Sequence, residues 1–464
     1  MRSARTCRVG IPQMKEKEPT SMQQHLMIEG DVKRKLIGFA VPIFIGHFFQ
    51  QLYNTVDSLI VGNLIDASAL AAVTSTSSFV YLMTAFFMGF STGAGVVIAR
   101  HIGARDDEQT GRAVHTAVAM GLLFSVLMTV CGLAISPHVL RWMGTPEDVF
   151  DRSLAYLRVY FLGSGALVMY NIFVGILQAS GDSLHPLIYL GVSSLTNIAL
   201  DAVFIAWFHM DVEGAALATV LSEILSMALV MVRLLKTGGS IRVRARQLGF
   251  DRENLKTIIR FGLPTAMQGC VIDLSNMLIQ SYINSFGSSA MAGVGASCKV
   301  EGFMFLPVTA FSMALTTFIS QNMGAKRKDR VREGMRFGLL CTVGVLGLLG
   351  VVMFLMAPPI IGWFNADPEI IAYGVGRSRV CALFYCLVGF SHAASAVARG
   401  LGRPMTPMVV MLVCWCAVRV AVLMTVGQAV HDIRLVFWIY PFTWTLSTVV
   451  YLFYLRRMNQ TVLQ

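Results

Sequence analysis

Residues Phe337–Ile361 read FGLLCTVGVLGLLGVVMFLMAPPII and contain no charged side chain. A helix needs about 20 apolar residues to cross the hydrocarbon core of a bilayer. Val41–Val56 and Phe79–Ala99 are uncharged in the same way. Composition agrees: of 464 residues, 55% are hydrophobic and only 14% charged, against roughly 25% charged in soluble domains. The expected fold class is an all-α integral membrane protein.

Working outward from that run, twelve spans are predicted: 36–62, 68–99, 112–136, 151–177, 184–207, 213–236, 254–285, 289–321, 333–357, 368–397, 405–428 and 434–456. Basic residues gather on one side of this pattern. They include Arg100, Arg105 and Arg112, the stretch Arg233–Arg260, Lys326–Arg336, Arg399 and Arg403, and Arg456 and Arg457. An excess of Lys and Arg in short loops marks the cytoplasmic face, so both termini are expected there. The net charge of +11 is thereby explained without nucleic acid. Met1–Lys35 is polar and basic and reads as a cytoplasmic tail before an uncleaved helix. The nine cysteines are scattered with no CxxC pair, and read as small buried hydrophobes.

The two halves are copies. Phe39-Ala40-Val41-Pro42 answers Phe261-Gly262-Leu263-Pro264, and Ala69-Leu70-Ala71-Ala72-Val73 answers Ala290-Met291-Ala292-Gly293-Val294. Gly103-Ala104-Arg105 answers Gly324-Ala325-Lys326; Thr145-Pro146-Glu147 answers Asp367-Pro368-Glu369; Gly181 and Pro186 answer Gly402 and Pro407. Six spans per copy is an even number, so the copies run the same way through the membrane. Two pseudo-symmetric six-helix lobes follow, related by an axis along the membrane normal, with a cavity between them. The expected boundaries are a tail 1–32, a first lobe 33–236, a linker 237–253, a second lobe 254–458 and a tail 459–464.

Asp57 and Asp201 fall inside predicted spans. Ionisable groups at that depth are costly and point to ion handling. Asn197 and Asp201 are four apart and share a helix face. Thr219 follows across the polar turn His209-Met210-Asp211, as far from it as Asp201. At about 1.5 Å per residue, both stand roughly 13 Å below the outer surface, and Asp57 comes to a similar depth. Carboxylate, amide and hydroxyl oxygens suit a hard cation such as Na⁺. The same carboxylates can carry protons, because burial and a like-charged neighbour raise a carboxyl pKa. Helix-to-helix hydrogen bonding is the alternative use of these acids.

His47, Gln50, Asn54 and Asp57 lie within about 80° of one another on a helix of 3.6 residues per turn. This polar stripe is expected to face a cavity or other protein, with His47, Gln50 and Asn54 near the substrate. Glu223 follows Thr219 by one turn, and either adds a second acid to the site or points at water. The repeat maps Asp57 onto Ile279, Asp201 onto Leu423 and Asn197 onto Arg419. Ion coupling is therefore expected in the first half alone. Arg419 reads as the only central arginine, and a buried cation needs a partner; Glu301 and Asp273 are the candidates. Gly89, Gly93 and Gly95 read as points of close helix approach. No Gly-rich loop followed by Lys and Ser/Thr is present, so ATP-driven transport finds no support, and no HExxH or comparable catalytic cluster suggests an enzyme.

Leu52-Tyr53-Asn54-Thr55-Val56-Asp57, Gln178-Ala179-Ser180-Gly181-Asp182 with Pro186, and Asn197-Ile198-Ala199-Leu200-Asp201 resemble the multidrug and toxic compound extrusion (MATE) family. The resemblance is closest to the prokaryotic branch with a cation site in the first lobe, and runs over about residues 30–458. It implies a secondary antiporter of the plasma membrane (the bacterial inner membrane). The cargo would be an amphipathic organic cation exported in exchange for Na⁺ or H⁺, with no cofactor and no nucleic acid. It matches Asp57, Asn197, Asp201 and Thr219 to the cation site, and Lys299 with Glu301 to a charged pair. A monomer is expected. Export of a lipid-linked saccharide or another metabolite by the same superfamily is the alternative.

Overall fold

The protein is represented by a computed structural model that describes residues 26–65 and 67–461. Among the described residues every regular element is helical. The first half contains α1 (Val32–Leu64), α2 (Ala67–Gly103), α3 (Asp107–Trp142), α4 (Glu147–Ala179), α5 (Leu184–Asp201) and α6 (Val212–Lys236). The second contains α7 (Arg252–Asn284), α8 (Ser288–Gly324), α9 (Lys328–Gly362), α10a (Pro368–Ala382), α10b (Tyr385–Gly400), α11a (Met405–Met411), α11b (Val418–Ala429) and α12 (Ile433–Thr461).

Ten of these helical segments are long and apolar enough to cross a membrane, and the α10a–α10b pair, bent by 57°, makes eleven. α7, expected as a span, is helical for 33 residues but falls outside that count. Its polar load of Gln268, Asp273, Ser275, Asn276 and Gln280 makes it the least lipid-like. Helix starts follow local chemistry. Asp106 accepts from Gln109 N at 3.0 Å to cap α3, and Asp251 accepts from Asn254 N at 2.9 Å to cap α7. Each satisfies an amide that the first turn leaves without a partner.

The duplication extends to the backbone. Arg105 and Lys326, equivalent in the two copies, both adopt positive φ (57° and 56°), as do Gly181 and Gly402 (94° and 84°). A left-handed conformation is rare for a side chain larger than glycine, so its recurrence at Arg105 and Lys326 marks the same tight turn built twice. The copies diverge at two π-helical segments. One, Ala202–Trp207, continues α5 directly after Asp201; the other, Leu412–Ala417, joins α11a to α11b just before Arg419. These segments do not occupy equivalent positions.

The lobes exchange their leading helices. Met27 and, from α1, Val32, Leu36, Phe39, Ala40 and Ile43 are buried in a core made otherwise of second-half residues. Ile258, Phe261 and Ala266 of α7 are buried among α2, α3 and α4. Both are the helix ends next to the basic loops, so the two lobes interlock at that end.

Candidate functional site

A serine ladder sets the register of the first-lobe hairpin. Ser193 Oγ on α5 donates to Ser222 O on α6 at 2.6 Å, and Ser226 Oγ donates to Ser193 Oγ at 3.3 Å. Counting outward along these antiparallel helices brings Asn197 level with Thr219 and leaves Asp201 about one turn, roughly 5 Å, nearer the far end. Asp201 and Thr219 are thus offset rather than level, because the π-helical segment after Asp201 takes up chain within the same hairpin.

Asn197 is 1% exposed and Asp201 0% exposed. The amide oxygen and nitrogen of Asn197 make no hydrogen bond among the described residues. An uncommitted amide at membrane depth is costly unless something else satisfies it. Thr219 is half-buried and its hydroxyl donates to Ala215 O at 3.1 Å, which leaves its lone pairs available. Glu223 is half-buried, with Oε2 shielded and unbonded. Asp57 lies in α1, but its side chain is outside the described residues. A π-bulge beside a buried acid is a common device for aiming side chains at a functional site.

The α1 stripe is half-buried at His47, Gln50 and Asn54. His47 Nδ1 and Gln50 Oε1 are 3.3 Å apart. α1 runs against α5 and α8, so part of this stripe is engaged in helix packing.

The second lobe corrects two expectations. Among the described residues Arg419 has no carboxylate partner: Nε donates to Thr443 Oγ1 at 3.1 Å, and the guanidinium lies 4.6 Å from the ring centre of Tyr440 and 5.1 Å from that of Trp415. Aromatic faces supply the attraction that an acid was expected to give. Nor is Arg419 the only central arginine. Arg377, 1% exposed, donates to Glu301 Oε2 at 2.6 Å and to Ser297 Oγ at 2.8 Å. Glu301 is therefore taken by Arg377 rather than by Arg419 or Lys299, and Lys299 is exposed. Asp273 is half-buried on α7 and forms no ion pair among the described residues. Arg377 stands close to the start of its span and to Arg379, so in the sequence it reads as an interfacial residue.

The lobes close on each other at the basic end. A methyl on Gly93 would stand 2.5 Å from Gly262 N, and Gly89 meets Ala266, Gly103 meets Gln321 and Gly324 meets Arg100 more closely still. Small residues let helix backbones approach this far in lipid. Arg100 of α2 donates to Gly400 O at 3.1 Å, and His101 Nε2 lies 3.1 Å from Asn254 Oδ1. Gln321 of α8 accepts from Met27 N at 2.8 Å and donates to Ala179 O at 2.7 Å. Arg330 adds bonds to Met27 O and Gly30 O at 3.1 and 2.7 Å. Directly above this seal lies a cavity of about 340 Å³ lined from α2 and α4 of the first lobe and from α7, α8 and α10b of the second. The stripe residues of α1 do not line it.

Comparison with known proteins agrees with this plan. A family model described as MatE matches twice, at residues 42–203 and 264–425, the second match beginning and ending 222 residues after the first. The chain is 27% identical over 427 residues to the probable multidrug resistance protein YoeA of Bacillus subtilis (strain 168), covering 90% of this chain and 92% of that protein. It is 26% identical over 398 residues to the probable multidrug resistance protein YpnP of the same organism, covering 86% and 89%. A solved structure described as an outward-facing conformation of a multidrug resistance MATE family transporter of the MOP superfamily superposes with TM-score 0.88 at 24% identity, covering 97% of this chain and 100% of that one.

Proposed function

The chain belongs to the MATE family of transporters, and from that premise we propose that it is a secondary antiporter exporting a small amphipathic molecule in exchange for Na⁺ or H⁺. It is a transporter rather than an enzyme. The observation that carries the coupling assignment is the buried pair Asn197 and Asp201 at membrane depth in the first lobe, answered in the second by Arg419 and Leu423. A scaffold requirement would be met in both copies; an ion site is needed only once.

In this reading Asp57, Asn197, Asp201 and Thr219 hold the inbound ion. Their carboxylate, amide and hydroxyl oxygens would ligate Na⁺, and the same acids would take up a proton. The basic end is cytoplasmic, so the closed lobes represent the state open to the outside. Residues 33–236 and 254–458 move as the two bodies and 237–253 joins them. The chain acts as a monomer in the plasma membrane. Exchange requires ion and cargo to favour different states. Ion binding around Asp201 acts on α1 through its contact with α5, and α1 is embedded in the opposite lobe. That linkage is the route from the ion to the seal. The relatives' multidrug names support the exporter assignment.

The test is efflux from proteoliposomes with an imposed Na⁺ gradient in one arm and a pH gradient in the other. The ion that drives dye movement is the coupling ion. Efflux that proceeds equally without either gradient would remove the antiport reading.

A further inference from the structure

The cavity between the lobes carries a permanent charge of one sign. Among the described residues of its lining, Arg399, on α10b, is the only Arg or Lys, His392 stands beside the same space, and neither Asp nor Glu contributes. Arg399 Nη1 donates to Ser395 Oγ at 2.7 Å and to Gln268 Oε1 at 3.3 Å. Its Nε is shielded from solvent and unbonded. No carboxylate among the described residues lies within ion-pair distance of it. Ser312, 6% exposed, lines the same cavity with its hydroxyl also unbonded. Thus a half-buried guanidinium and a buried hydroxyl face a space of about 340 Å³, within the range of roughly 300–1,000 Å³ of small-molecule sites.

In the last turn of α10b this guanidinium has only neutral partners, Ser395 and Gln268, and an uncommitted Nε. A planar organic carboxylate or a phosphate ester offers the acceptor oxygens that its fork fits. An organic cation in the same space would meet Arg399 with no carboxylate to offset the repulsion. Met88 and Met313 on the opposing walls supply adaptable apolar contact for the rest of the molecule. The acids of the first lobe, Asp201 and Glu223, are absent from the lining, so ion and cargo would use separate charges in separate lobes. We infer that Arg399, with Gln268, His392 and Ser312, is the subsite for an anionic group on the cargo, and that the exported molecule is an amphipathic organic anion. This rests on the exporter reading above and replaces the cationic cargo that the family resemblance implies.

The test is fluorescence-anisotropy binding to the purified full chain in neutral detergent micelles. The probes are fluorescein as an aromatic carboxylate, 4-methylumbelliferyl phosphate as an aromatic phosphate ester, and ethidium as an aromatic cation. At least one anionic probe is expected to bind more tightly than ethidium, and the tighter of the two identifies the group. Arg399→Gln should weaken anion binding about tenfold or more, the loss of a charged hydrogen bond, whereas Arg399→Lys, which keeps the charge and loses the fork, should fall between Gln and the parent. Because Arg399 also bridges Gln268 and Ser395, a second variant leaves it in place. Thr265→Glu, on the α7 wall, puts a carboxylate into the cavity and should weaken anions while strengthening ethidium. Tighter binding of ethidium by the parent chain, or anion affinity unchanged in Arg399→Gln, overturns the subsite. Binding in micelles needs no gradient, so the two readings fail separately. Arg399-dependent anion binding without gradient-driven export upholds the subsite and overturns antiport. Gradient-driven ethidium export without anion binding does the reverse.

Discussion

Arg377 Nη2 and Glu301 Oε2 are 2.6 Å apart in the interior of the second lobe, with side-chain exposures of 1% and 10%. The pair joins α10a to α8, and it removes from Arg419 the acid nearest to hand. Arg419 is left to Thr443 and two aromatic rings. A buried pair is worth little against a well-packed apolar replacement, but half of one is expensive. Arg377→Ala alone should destabilise the protein by about 3–5 kcal/mol. The double change Arg377→Met with Glu301→Leu should recover most of that loss. Unfolding in mixed micelles decides it, and a double variant as unstable as the single one would show that the pair is not a unit.

Asp201→Asn preserves shape and removes the charge at a fully buried position of the first lobe. The protein should assemble normally and lose gradient-driven efflux by about ten- to a hundredfold, the usual range of a coupling free energy. Leu423→Asn changes the equivalent position of the second lobe and should leave coupling intact. Efflux from proteoliposomes at matched protein content reads both. Parent-like pumping by Asp201→Asn would end the assignment of coupling to this helix.

Gly93 faces Gly262 with no room for a methyl. Gly93→Val therefore has to push α2 away from α7, at a cost of about 1–3 kcal/mol to the closed interface. The conformer open at the basic end should gain population. Spin labels on Asp107 and Glu333, exposed at the starts of α3 and α9, should show a longer-distance component that the parent lacks. An unchanged distance distribution in a folded Gly93→Val protein would mean that this contact does not hold the lobes shut.

Gln321 joins three parts of the chain at once, through Met27 N at 2.8 Å and Ala179 O at 2.7 Å. Gln321→Ala removes two bonds worth about 0.5–1.5 kcal/mol each. The same spin-label pair should shift toward the longer distance, by less than in Gly93→Val. Amide exchange at Met27 should accelerate, because its N–H loses its acceptor. Parent-like protection of Met27 would place the latch elsewhere, for instance in Arg330 and Asn322, which also hold Met27 O at 3.1 and 3.3 Å.

The glycines of α2 illustrate how far local pattern reaches. Gly89 and Gly93 read as sites of close approach, and they are; that they approach α7, across the lobe boundary, is not a property of α2. The same holds for Asn197 and Asp201. Their burial follows from helical spacing inside an apolar run. Their depth relative to Thr219 depends on a π-helical segment and a serine ladder that no apolar periodicity reports.

Composition, periodicity and the internal copy by themselves determined the membrane helices, the twofold plan and the placing of Asn197 and Asp201 on one helix of the first half, because each is written in short-range spacing or in an offset along one chain. Tertiary structure alone decided that Arg377 takes Glu301, that α1 and α7 are buried in each other's lobes, that the basic end is closed, and that the cavity above it bears Arg399. Those are matters of which helix faces meet. Residues far apart in the chain settle them, where desolvation makes a charge choose whatever partner the packing brings within reach.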